Sequence, residues 1–152
     1  MKGWLLDTNV IAEISGKKPD PSVLNWATAQ HPATLFLSIL TIAEFEKGIN
    51  HLPELDPRRP GLRARLIALE ERFAGRILSL SDATIRRWGA ISGEVLRTTK
   101  QMPDVIDTML AATAIEKTLY FVTRNTKHVT RSGAVAFNPW TDDPDKFPLI
   151  PK

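Results

Sequence analysis

Short apolar runs that read as strands alternate along this chain with segments of helical period, and that alternation limits the architectures open to it. Residues 3–8 (GWLLDT), 34–38 (TLFLS) and 119–123 (LYFVT) read as strands. A shorter strand is expected within RILSLS (76–81), and a last one in AVAFNPW (134–140), ended by Pro139. Between them, residues 9–15 predict a short helix stopped by Gly16, and a second helix runs from Pro21 or Ser22 to Gln30. In TIAEFEKGINHL (41–52), Ile42, Phe45, Ile49 and Leu52 recur at helical spacing. After a proline-rich break at 53–60, Leu62, Leu66, Leu69 and Phe73 do the same. Ser81 or Asp82 caps a helix with Ile85, Trp88, Ile91 and Val95 on its apolar face. Pro103-Asp104 opens a helix reaching Ile115. Strands alternating with helices argue for an α/β domain whose mainly parallel sheet is covered on both faces. One domain, residues 1–141, is expected, with an acidic, proline-rich tail at 142–152 that hugs the surface or frays.

Composition narrows the chemistry. The 152 residues include no cysteine, so disulfides and thiolate metal sites are excluded and any metal must use oxygen or imidazole ligands. Asp7 interrupts the N-terminal apolar run, so no secretion signal is expected, and no stretch approaches the ~20 apolar residues of a membrane span. A cytoplasmic protein without membrane contact is the expectation. The net charge of +3 leans toward polyanionic partners such as nucleic acid.

Against that basic background several acids stand at informative places. In open α/β sheets, ligands bind beyond the carboxyl ends of the strands. Asp7 ends the first strand, and Arg124-Asn125-Thr126-Lys127-His128 follows the Phe121-Val122-Thr123 strand. Asp107, Ala111 and Ala114 share one stripe of their helix, which puts Asp107 on or beside the packed side. Asp104 lies about one turn earlier, and the helix N-terminus is expected to favour the ionised form of both. Glu44 and Glu46 lie on opposite sides of the Ile42/Phe45/Ile49 stripe; periodicity does not choose between them, although Thr41 and Gly48 leave room beside Glu44. Singly, these acids are ordinary: Asp7 a helix cap, Asp104 and Asp107 first-turn acids, Glu44 a solvated residue. Jointly, acids gathered at one sheet edge repel one another unless a cation sits among them, and hard oxygen donors select Mg²⁺ or Mn²⁺.

LLDTNV, LTIAEFEKGI, DVIDTMLAATA and YFVTRNTKHV…FNPW, in that order, resemble the PIN-domain family, and within it the VapC-type toxins of VapBC toxin–antitoxin modules. The resemblance covers almost the whole chain. It implies a Rossmann-like three-layer α/β/α sandwich and a Mg²⁺- or Mn²⁺-dependent endoribonuclease. Its acids would be Asp7, Glu44 and Asp107, with Thr8 and Asn9 supporting the first. Asp7 and Asp107 would hold the metal. Where the family often has a further acid, this chain carries Asn125 and His128, and Asp104 is the candidate to compensate. Thr8 and Thr123 are assigned capping or strand-end roles ahead of contacts to a carboxylate or phosphate.

RNA is the implied substrate, with Arg124, Lys127 and Arg131 available to flanking phosphates. The implied protein partner is a VapB-like antitoxin, clamped by the helix pair joined at 53–60. A homodimer is the expected assembly, with Trp88 and Ile91 assigned to the core in preference to the dimer face. The alternative is a catalytically weak PIN-like module that binds RNA or antitoxin. A phosphatase using Asp7 as nucleophile, of the haloacid-dehalogenase kind, calls for a second Asp two residues on; Asn9 stands there.

Overall fold

The structure, a computed structural model, describes residues 3–147. Five strands form one parallel sheet: β1 (Trp4–Leu6), β2 (Leu35–Ser38), β3 (Ile77–Leu78), β4 (Tyr120–Val122) and β5 (Ala136–Phe137), in the order β3-β2-β1-β4-β5. Among the described residues seven α-helices connect them: α1 (Thr8–Ile14), α2 (Pro21–Ala29), α3 (Ile39–His51), α4 (Arg59–Arg72), α5 (Asp82–Thr99), α6 (Val105–Glu116) and α7 (Thr126–Thr130).

β1 is the central strand, with Leu5 opposite Phe36 of β2 and Phe121 of β4. Its three side chains are buried, and they divide between the two faces of the sheet. Trp4 and Leu6 join Tyr120 and Val122 in a core with Val10, Val23, Trp26, Ile42, Ile49 and Leu66 from α1 to α4. Leu5 and Phe121 point the other way, onto Leu110, Ala111 and Ala114 of α6 and Val129 of α7. Continuous apolar strands are thus what a doubly covered sheet requires, and the expected α/β/α sandwich is observed. Trp4 anchors the start of β1 against Trp26, Tyr120 and Phe137, with ring centroids 5.3, 5.1 and 5.0 Å away.

Several local expectations are corrected. The last strand is two residues long, because the chain turns at Asn138: Asp142 accepts from its backbone N–H (2.8 Å), and its own side chain accepts from that of Trp140 (3.0 Å). α7 was not anticipated in the 124–128 segment. The face of α5 is rotated from the one its large apolar residues suggested. Thr84, Ser92 and Val95 are buried while Ile85 is 39% exposed, and Trp88 and Ile91 belong to neither core cluster. Small residues on α5 allow it to lie close along α6. Beyond Trp140 the chain stays on the domain, where Phe147 packs edge-on against Tyr120 and Phe137. The rest of the expected tail, 148–152, lies outside the described residues. Among the described residues no helix is long and apolar enough to cross a membrane.

Candidate active site

The chain winds from β1 outward to β2 and β3, then returns to place β4 on the other side of β1. The order of winding reverses between β1 and β4, and a crevice opens at such a point beyond the strand ends. Asp7 and Thr123 are the first residues past those two strands. The Asp7 backbone N–H extends the pairing by donating to the Val122 carbonyl (2.9 Å).

Asp7 is 7% exposed and both its oxygens are engaged. Oδ1 accepts from the Thr8 backbone N–H (2.7 Å), capping α1. Oδ2 accepts from the Thr123 hydroxyl (2.7 Å) and the Asn9 amide (3.2 Å). The Asn9 amide also reaches Thr123 Oγ1 (3.3 Å), while its oxygen accepts from the Arg124 backbone N–H (3.4 Å). Asn9 therefore ties the end of β1 to the end of β4. Burial nevertheless pushes the Asp7 carboxyl up to about 6; the hydrogen bonds from Thr123 and Thr8 oppose the shift, and the charges of Asp107 and Glu44 add to it.

The structure separates the two glutamates of α3. Glu44 accepts the hydroxyl of Thr8, next to Asp7. Glu46 pairs with Arg63 of α4 at 2.6 Å and serves the packing of those helices. Asp107, in the first turn of α6, is half-buried and also has its pKa raised: burial is the main cause, the charges of Asp104 and Glu44 add, and that of His128 opposes. The expected benefit of the helix N-terminus does not prevail at Asp107. Asp104 is exposed and spends Oδ1 as the cap of α6, accepting from the Asp107 backbone N–H (2.9 Å). Asn125 contributes its backbone N–H to Thr123 Oγ1 (3.1 Å), and its side chain is exposed. His128 is exposed on α7, near enough for its charge to act on Asp107.

Thr8 and Thr123 thus do more than expected, since each hydroxyl holds a carboxylate. The signal for Thr123 was its place one residue past a buried strand, matching Asp7. Seeing it required knowing that β1 and β4 are neighbours.

Glu46, Asp56, Asp82, Glu94 and Glu116 each pair with an arginine. Among the described residues Asp7, Glu44 and Asp107 have no such partner, although their charges act on one another. Among those residues no three His, Asp or Glu side chains stand close enough to hold one ion together. The donors are all oxygen, and the Asp7 carboxyl, raised to about 6 chiefly by burial, has no arginine or lysine paired to it among the described residues. Both suit a hard cation such as Mg²⁺, which takes one or two carboxylates and completes its shell with water.

A cleft of about 410 Å³ runs from Glu44 between α1, α3 and α4, lined mainly by apolar side chains such as Ile11, Phe45, Leu62 and Leu69. On the cationic side, Arg124 lies over the Trp140 ring, 5.0 Å from its centroid. Lys127 and Arg131 are exposed.

The PIN domain model matches residues 4–132, and the chain belongs to the PIN-domain family. It is 33% identical over 137 residues to the VapC ribonuclease Y4jK of Sinorhizobium fredii, covering 90% of this chain and 96% of that protein. It is 31% identical over 139 residues to toxin FitB of Neisseria gonorrhoeae, covering 91% and 99%. The crystal structure of FitAcB from Neisseria gonorrhoeae superposes with a TM-score of 0.81 at 30% identity, covering 90% of this chain and 98% of that one.

Proposed function

We propose that this protein is a Mg²⁺- or Mn²⁺-dependent endoribonuclease acting as the toxin of a toxin–antitoxin module. The observation that carries the proposal is that Asp7, Glu44 and Asp107, none of them paired with an arginine or lysine among the described residues, lie around the point where the sheet's winding reverses. The likeness to a VapC ribonuclease and to toxin FitB supports it.

Asp7 and Asp107 would hold the ion. Once bound, it lowers the pKa of a coordinated water and offsets charge on the phosphodiester under attack. Thr123 and Asn9 fix the Asp7 carboxylate, and Thr8 orients Glu44 toward the same crevice. Arg124, Lys127 and Arg131 meet phosphates on either side of the one attacked. Asp104 acts through Asp107, as its helix cap. Asn125 and His128 border the crevice where a further acid would otherwise stand. The cleft beside Glu44 is the seat of an antitoxin segment whose apolar residues lie along α3 and α4 and whose arginine meets the acids. The working assembly is a homodimer.

The test is incubation of RNA with the purified chain in Mn²⁺, in Mg²⁺ and in chelator, alongside Asp7→Asn. Cleavage by wild type only with the ion supports the reading. Cleavage in chelator, or undiminished in the variant, overturns it. RNA binding without cleavage favours the binding-module alternative.

A further inference from the structure

A second cavity adjoins the acids on the side away from the α3/α4 cleft. It has a volume of about 150 Å³ and lies where the end of α5, the 101–104 loop, the start of α6 and α7 meet. Asp107 is one of its walls, so it opens beside the proposed reaction centre. We infer that this cavity is a nucleobase subsite, receiving the base next to the scissile phosphate and setting the sequence preference of the nuclease. The inference rests on the proposed nuclease reading and adds to it the part of the substrate that is read.

Three properties select a base. Size is the first: clefts for drug-sized ligands run from roughly 300 Å³ upward, and this one suits a single flat group. Charge is the second. Asp104 and Asp107 share the lining with one guanidinium, Arg131, and the imidazole of His128, so the two carboxylates disfavour a phosphate and leave the site to a neutral ligand. Surface chemistry is the third. Ile91 and Val95 give an apolar wall, and Met102, 66% exposed, offers a polarisable side chain of the kind that packs against aromatic rings. Gln101 lies at the same rim, where its amide can both donate to and accept from a base edge. Among the described residues that amide makes no hydrogen bond, and the Arg131 guanidinium forms no ion pair. The α5 face explains why the cavity exists: Ile91, displaced from the core, is left as its wall.

Two experiments test the assignment. In the first, the full chain carrying ¹³C-methyl methionine is titrated, in chelator, with each of the four ribonucleoside 5′-monophosphates and with ribose 5-phosphate. Saturable shifts of the Met102 methyl, larger for one base than for the others and absent with ribose 5-phosphate, support the subsite. No shift, or an equal shift with ribose 5-phosphate, overturns it. This readout needs no catalysis, so base binding by a chain that does not cut RNA would sink the nuclease reading and leave the subsite standing. In the second, Gln101→Ala and Met102→Ala are compared with wild type on RNAs randomised around the cleaved bond. About tenfold loss of base preference among the cleavage products is expected. An unchanged preference in variants that still cleave overturns the subsite and leaves the nuclease reading standing. Both positions are exposed and outside the core, so both variants are expected to fold.

Discussion

The Thr123 hydroxyl, one residue past β4, donates 2.7 Å to Oδ2 of Asp7, one residue past β1. Those two strands are neighbours in the sheet, yet 116 positions separate the bonded residues. The Thr123 hydroxyl oxygen in turn accepts from the Asn125 backbone N–H, so one buried side chain fixes both the acid and the entry into α7.

Thr123→Val keeps the shape and removes the hydroxyl. The Asp7 carboxylate loses a bond that opposes its raised pKa, so that pKa rises further. Urea denaturation should show a loss of about 1–2 kcal/mol from the unmatched groups. RNA cleavage should fall with it, and Thr123→Ser should recover most of both.

Asp7→Asn tests the cost of the buried charge. Its carboxyl titrates near about 6 in the folded chain, against the ordinary 3.8, so the folded state binds its proton more tightly. Stability from this group is full below 3.8 and is lost as pH rises through about 6. Relative to wild type, Asp7→Asn should be indistinguishable near pH 3.5 and more stable at pH 7, by about 3 kcal/mol at most. Thermal melts of both proteins across that range provide the measurement, and the variant should be inactive.

If a divalent ion binds among these acids, it stabilises the folded chain by mass action. Mn²⁺ at about 100 times its dissociation constant should add about 2.7 kcal/mol to wild type. Calorimetry should show the melting temperature rising with Mn²⁺ and returning to its starting value in chelator. Asp7→Asn should show little or none of this response.

Glu44 and Glu46 are two residues apart on one helix and should respond differently. Glu44→Gln should abolish most RNA cleavage while leaving the fold intact. Glu46→Gln breaks only the half-exposed pair with Arg63, costing about 0–1 kcal/mol, and cleavage should be unaffected. A cleavage assay beside a denaturation curve separates the two.

The fold was legible because the strands are apolar throughout and the helices keep their period. Asp7 was legible too, as a carboxylate ending an apolar strand. Glu44 was not separable from Glu46, because the distinction depends on Arg63 occupying one side of α3 and Thr8 the other. The Asp7–Thr123 contact depends on strand neighbours that no local pattern encodes. The α5 face was misread because large apolar residues were weighted above the small ones that allow helices to approach. α7 escaped notice because five residues, with Val129 alone buried, carry almost no periodic signal.

Because β4 must dock beside β1 before Thr123 can reach Asp7, the crevice is completed late in synthesis. A chain made only as far as residue 119 carries Asp7, Glu44 and Asp107 but neither β4 nor Thr123, which fixes the Asp7 carboxylate. The proposed nuclease site is therefore incomplete until β4 has been made and has docked beside β1.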